Sequence, residues 1–210
     1  PAPVDLDGSA LEDDAGIARV LGERPTKLVY FESPTNPITR IADLARITKA
    51  AHAHGALTVM DNTFAGFHNH GQYGVDVFIH SLTKYASGHG DVMGGAIIAR
   101  TELIRKIRRD AVELGGVLDP HAAFLVMRGM KTYYLRYEAQ AASALRIATF
   151  LDGHPAVERV HYPGLAGHAR HALARQQMHE SGSIVSFDLA GDADAVRAFA
   201  DALEFFAITP

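Results

Sequence analysis

The sequence predicts an α/β fold, a mostly parallel sheet flanked by helices, followed by the start of a smaller α+β unit. Three observations carry this expectation. Short apolar runs of strand length alternate with helical stretches through the first half of the chain, the pattern of parallel strands joined by crossover helices. The apolar runs end in polar, reactive residues, as in open α/β sheets that bind ligands beyond the carboxyl ends of their strands. From Ala122 onward the text changes to long helix and then to isolated strands.

Taken in order, residues 27–31 read as a strand. Residues 41–54 read as a helix with Ile41, Leu44, Ala45, Thr48 and Ala51 on one face and Gly55 to stop it. Residues 56–60 form a second apolar strand closed by Asp61, and 75–79 a third. Residues 95–99 return as a further strand, and 102–114 form a charged, exposed helix. Residues 122–151 are helical with a break or bend near Gly129, and Gly153-His154-Pro155 ends them. Strands at 157–161 and 184–189 bracket a helix at 170–179, and Asp192 caps a last helix at 193–205. The expected division is residues 1–130 as part of a large domain, and 131–210 as a connecting helix with an incomplete small domain.

Composition narrows the function. With 210 residues, 48% hydrophobic content and a net charge of −4, the chain suits one large domain or parts of two. It gives no reason to expect nucleic acid or an anionic membrane as a partner. No apolar run is long enough to span a bilayer, and no secretory signal stands at Pro1. The absence of cysteine excludes disulfides and thiolate metal sites, and fits a cytoplasmic enzyme. The close histidine pairs are His52/His54, His68/His70 and His168/His171. None has a third ligand at metal spacing, so no metal is expected. Tyr85, Tyr133, Tyr134 and Tyr137 could serve as acids or bases, but three of them lie on a long helix, where packing is the commoner role.

The chemistry centres on Ile79-His80-Ser81-Leu82-Thr83-Lys84-Tyr85-Ala86-Ser87-Gly88-His89-Gly90-Asp91. A lysine placed just past a buried strand end is expected to lie in an apolar site. Burial there would favour its neutral, nucleophilic amine. Asp61 closes the neighbouring strand, so Asp61 and Lys84 are expected to open onto one crevice. An aspartate and a lysine at such an edge fit pyridoxal phosphate. The lysine holds the aldehyde carbon as an imine, and the aspartate keeps the ring nitrogen protonated so that the ring acts as an electron sink. Ser81 and Thr83 offer hydroxyls to the phosphate.

Glu32-Ser33-Pro34-Thr35-Asn36-Pro37, Asp61-Asn62-Thr63-Phe64 and the lysine segment occur in one order with Arg128-Gly129-Met130-Lys131-Thr132, His154-Pro155, Tyr162-Pro163-Gly164-Leu165 and Gly167-His168. Together they resemble the Cys/Met-metabolism (transsulfuration) family of pyridoxal-phosphate enzymes. The resemblance implies a fold-type I large domain and a small C-terminal domain. It implies elimination or replacement at the γ or β carbon of a sulfur-containing or O-activated amino acid. Pyridoxal 5'-phosphate is the implied cofactor, a small amino acid the substrate, and a homo-oligomer, a dimer of dimers, the assembly. It makes Lys84 the Schiff-base lysine and proton shuttle, Asp61 the pyridinium partner, Ser81 and Thr83 phosphate ligands, and Asn36 the contact to the ring 3-hydroxyl. Glu32 lies near that contact and Thr63 near the cofactor. Residues 65–74 depart from the family pattern, being slightly shorter and rich in His and Gly, and bear on which substrate is used. The resemblance also implies that the chain is an internal fragment of a longer enzyme. Two other readings stand beside this one: a fold-related enzyme such as an aminotransferase, and an inert piece supplying only fold and interface.

Overall fold

The computed structural model describes residues 14–23 and 25–206. A sheet of order β1-β2-β3-β4 is built from Leu28–Glu32, Leu57–Asp61, Val77–Ser81 and Gly95–Ala99. The first three strands are parallel, with Glu32 beside Asp61 and Asp61 beside Ile79. β4 runs antiparallel to β3, so the expectation of a mostly parallel sheet holds with one reversed edge strand.

α1 (Asp14–Glu23) and α2 (Leu44–Ala53) cover one face of this sheet. Ile17 and Leu21 of α1 meet Val29, Phe31, Leu44, Ile47, Ala51 and Met60 in one core cluster. α1 has no counterpart in the sequence reading, although Ile17, Val20 and Leu21 carry helical spacing. α2 begins later than expected. The Asp43 carboxylate accepts from the backbone N–H of Arg46 and fixes the first turn. Ile41 therefore lies outside the helix and packs with Ala65, Ala174 and Met178. Ile47, not Ala45, completes the buried face, and Ala45 is exposed.

α3 (Thr101–Glu113) presents no buried residue, as its charge pattern implies. The expected helix over 122–151 is two helices, α4 (Pro120–Met130) and α5 (Tyr133–Asp152). The chain turns at Lys131 and Thr132, two residues past Gly129. Gly129 itself stays helical and buried.

β5 (Val157–His161) and β6 (Ser186–Leu189) form a separate antiparallel pair. Val160 of β5 and Tyr162 pack against Ala144 and Ala148 of α5. α6 (His171–Gln177) and α7 (Ala193–Asp201) are shorter than read from sequence. Asp192 caps α7 as expected, its carboxylate accepting from the N–H groups of Asp194 and Ala195.

The later half is stitched to the segment after β1. Gln177, buried, accepts from Leu44 N–H and donates to the Ala42 carbonyl at 3.0 and 2.9 Å. Thr39 Oγ1 donates to the His161 carbonyl, and Ser186 Oγ to that of Pro37.

Candidate active site

Side chains alternate across a strand. The in-register pairs therefore place Tyr30, Glu32, Val59, Asp61, Ile79 and Ser81 on one face of the sheet. Val29, Phe31 and Met60 face α1 and α2 instead. Three polar residues, Glu32, Asp61 and Ser81, thus stand at the carboxyl ends of three adjacent parallel strands, on the face away from α1 and α2.

Backbone continuity past the strand ends binds them together. Asn62 N–H donates to the Ile79 carbonyl at 2.8 Å, extending the ladder by one residue. Thr63 N–H donates to Asp61 Oδ1 at 2.9 Å, and Ser81 N–H donates to Thr63 Oγ1 at 2.8 Å. Among the described residues, Asp61 Oδ2 and Ser81 Oγ make no hydrogen bond. Glu32 accepts from Asn36 N–H at 3.1 Å. The phenol of Tyr30 is pushed up by burial and by the carboxylates of Asp61 and Glu32, which sit near it on the same face.

β3 runs into a wide turn over Leu82–Ala86, which Lys84 interrupts with φ −86° and ψ −114°. Lys84 is exposed; the expected burial in an apolar site is not met, because the turn carries the residue beyond the sheet edge. Its Nζ makes no hydrogen bond or ion pair among the described residues. It lines a largely apolar cavity of about 1110 Å³ with Phe64, Tyr85, Ser183, Phe187 and Phe199. Thr83 Oγ1 accepts from Gly94 N–H at 3.1 Å and lies 3.5 Å from the Gly94 carbonyl. That second contact is at the outer limit of a hydrogen bond, so its proton is available to another acceptor. Asn36 is exposed and opens onto a different cleft of about 830 Å³, lined also by Glu32, Arg40, His161 and Arg170.

The His- and Gly-rich segment behind Asp61 is tightly held. Asn62 Nδ2 donates to the carbonyls of Gly66 and Asn69 at 3.0 and 3.2 Å. Its Oδ1 therefore accepts from His70 Nδ1, at 2.7 Å. His70 is fully buried, and its Nε2 has no partner among the described residues. Burial, with His68 and His80 adding to it, pulls the His70 imidazole down to about 4. His80 is buried under Phe67, their rings stacked at 4.0 Å, and burial pulls it to about 4 against the opposing pull of Asp61. Both rings are neutral at pH 7.

The tyrosines act as struts. Tyr133 OH accepts from Phe67 N–H at 2.9 Å, and burial pushes it up to about 12. Tyr137 OH donates to the carbonyls of Ala65 and Phe64 at 2.8 and 3.1 Å. Tyr85, beside Lys84, shares a 2.7 Å hydrogen bond with Ser183 Oγ. Sequence reasoning missed Ser183; no local signal marks it. Among the described residues no three or more His, Asp or Glu side chains gather as a metal site. His52 pairs with Asp76 and His68 with Glu180, each at a carboxylate 2.8 to 2.9 Å away.

The Cys/Met-metabolism PLP-dependent enzyme family matches residues 4–210. The chain belongs to this family. Cystathionine gamma-synthase 1 (chloroplastic) of Arabidopsis thaliana is 42% identical over 200 residues, which is 94% of this chain and 36% of that protein. L-Methionine gamma-lyase of Pseudomonas putida is 43% identical over 185 residues, 86% of this chain and 46% of that protein. The chain therefore spans half or less of the length of these relatives. Among solved structures, cystathionine gamma synthase from Xanthomonas oryzae pv. oryzae, in complex with aminoacrylate and cysteine, superposes with a TM-score of 0.91 at 42% identity. The match covers 95% of this chain and 52% of that one. The α/β architecture is that of this family.

Proposed function

We propose that the complete protein is a pyridoxal-phosphate-dependent carbon–sulfur lyase or γ-replacement enzyme. It would eliminate or exchange a substituent at the γ or β carbon of a sulfur-containing or O-activated amino acid. The observation that carries this reading is the hydrogen-bonded set Asp61–Thr63–Ser81 at the ends of β2 and β3, running directly into Lys84. The names of the relatives support it, since cystathionine gamma-synthase, methionine gamma-lyase and cystathionine beta-lyase all lie within this reaction class.

The donor set fits the cofactor. Asp61 Oδ1 is occupied by a backbone N–H, which leaves Oδ2 to face a pyridinium N–H. Ser81 Oγ is unspent and the Thr83 proton only weakly engaged, which suits two phosphate contacts. Among the described residues the Lys84 amine is tied to no carboxylate. Asn36 would reach the ring 3-hydroxyl, with Glu32 holding its backbone N–H, and Thr63 would keep Asp61 in place. Bound there, pyridoxal phosphate supplies an electron sink for negative charge developing at the substrate Cα.

The chain's own residues do the rest. Lys84 Nζ would hold the cofactor and would serve as the base that takes the proton from the substrate Cα and returns it. Asp61 would pair with the ring nitrogen and favour its protonated form. We place this enzyme in the cytoplasm, in keeping with a chain free of cysteine. We read it as a homo-oligomer, a dimer of dimers. The apolar side chains of Phe124, Met127 and Leu135, more than half exposed along α4 and α5, support the assembly.

The test is Lys84→Ala in the complete protein. It should abolish the visible absorbance of covalently held pyridoxal phosphate and lower turnover by on the order of 10³-fold or more. Retention of both would remove Lys84 from the reaction. Product analysis separates the reaction types: released ketoacid supports elimination, and accumulation of pyridoxamine phosphate would point to amino transfer.

A further inference from the structure

The carbonyl groups of the lysine turn can be accounted for one at a time. Leu82 O accepts from Ser87 N–H at 3.0 Å, Thr83 O from Ser87 Oγ at 3.1 Å, and Lys84 O from Gly88 N–H at 2.9 Å. The next two carbonyls have no such local donor. Tyr85 O and Ala86 O instead receive Arg136 Nη2, at 3.0 and 3.4 Å. The same nitrogen donates to Gly129 O, near the end of α4, at 2.9 Å. Arg136 Nε donates to Thr132 Oγ1 at 3.1 Å, which orients the guanidinium plane.

One side chain thus closes the carboxyl ends of two helical turns, where unpaired carbonyls concentrate partial negative charge. Two separate nitrogens of one rigid plane, Nη2 on the carbonyls and Nε on Thr132 Oγ1, act together, which the single nitrogen of a lysine ammonium cannot reproduce. The surroundings are shaped to admit it. A Cβ on Gly88, which has φ +66°, would lie 1.8 Å from Arg136 Nη1. A Cβ on Gly129 would lie 2.3 Å from the Ser87 carbonyl oxygen, so α4 presses its backbone directly on the turn.

We infer that Arg136 is the positioning residue for Lys84. The Lys84 amine has no partner among the described residues, so what the fold fixes is the point from which its side chain starts, and that point is set by its backbone. That backbone is braced by the Arg136 guanidinium on the two residues that follow. Arg136 touches neither substrate nor cofactor in this account. It acts by keeping the turn from swinging, so that the Lys84 side chain starts from the same place, which narrows the range its amine must search. The inference rests on the reading of Lys84 as the cofactor lysine.

The experiment compares Arg136→Ala, Arg136→Lys and Lys84→Ala in the complete protein. Four readouts are taken: amide hydrogen exchange over residues 85–88 without added pyridoxal phosphate, thermal melting, the pH titration of the visible band after pyridoxal phosphate is added, and kcat with KM. In Arg136→Ala, exchange over 85–88 should quicken by ~10-fold or more. Its kcat should fall by roughly 10- to 100-fold while KM changes little, since a small misplacement of a reacting group carries that penalty. The band should titrate at a different pH. Arg136→Lys keeps the charge but not the fork, so it should melt cooperatively and still lose most of the kcat. It carries the test if Arg136→Ala fails to fold. Wild-type kcat and band titration in either variant would overturn the inference, even with faster exchange, because the contact would then be structural only. If Lys84→Ala kept the covalent band, the assignment of Lys84 itself would fall, and this inference with it. That outcome is told apart because it appears in the Lys84 variant alone.

Discussion

Asp61 shows how one residue can be legible in chemistry before its geometry is known. An acidic residue closing an apolar run, with a lysine past the next strand, was enough to suggest a pyridine ring between them. The hydrogen bonds that hold it, from Thr63 N–H and onward to Ser81, were not legible, because they join residues brought together only by strand register. Lys84 marks the limit in the other direction. Its place in the sequence was clear, but its exposure was not, since the path of a turn beyond the sheet edge depends on α4 and α5. In the complete protein, Asp61→Ala should lower kcat by on the order of 10²-fold or more, because the ring nitrogen loses its partner. Asp61→Glu should be milder, keeping the charge at the wrong reach. Steady-state kinetics on both variants checks this, and near-normal turnover in Asp61→Ala would remove it from the reaction.

At the scale of elements, the strands and the Asp192 cap are legible within two residues, because short apolar runs and Asp at a helix start are local signals; the Asp43 and Asp119 caps are not read from the sequence. Propensity alone puts the α4–α5 break near Gly129. The structure uses that glycine for close approach to the lysine turn instead, and it bends the chain two residues later. Tyr133 and Tyr137 bind α5 to the loop after β2, and that role was invisible without the tertiary contact. Tyr137→Phe removes the donor to Phe64 O and Ala65 O. Ala65 O keeps Asn69 Nδ2 as a second donor, but Phe64 O is left unpaired among the described residues. The variant should lose about 1–3 kcal/mol of stability, seen as a lower urea midpoint with an unchanged slope. No loss at all would mean that water satisfies the carbonyl as well as the phenol does.

Across the whole molecule, the two buried histidines set the acid limit. His70 and His80 sit near 4 when folded, below the ordinary 6.5. As pH falls from 6.5, the unfolded chain takes up their protons first. The stability they allow is therefore fully present above pH 6.5 and is lost progressively as pH falls toward 4. Each ring accounts for roughly 3 kcal/mol over that window. Melting temperatures measured from pH 7.5 to 4 should fall steeply below 6.5, and His80→Gln should flatten the slope. A flat profile in the wild type would show that the rings are hydrated. The sheet edges matter at the same scale. Leu28 and Tyr30 on β1 and Ile97 and Ile98 on β4 are about half exposed, and apolar edge strands invite pairing. These 210 residues on their own should self-associate at micromolar concentration by sedimentation velocity, bind pyridoxal phosphate weakly and release no ketoacid. A clean, active monomer would overturn this.

α5 ties these scales together. Its buried residues, Tyr133, Tyr137, Ala141, Ala144 and Ala148, form a single stripe on a helix of 20 residues, which is about 30 Å long. The first half of the stripe engages the loop after β2 and sits beside Arg136, and the second half engages the β5–β6 pair. The helix therefore behaves as a rigid axle with a mounting at each end. One alanine inserted in the exposed run near 139 and 140 would turn one mounting about 100° relative to the other, and no side-chain repacking could bring both back into phase. Length, not composition, is what this axle must conserve. The spacing between Tyr137 and Ala144 admits neither insertion nor deletion.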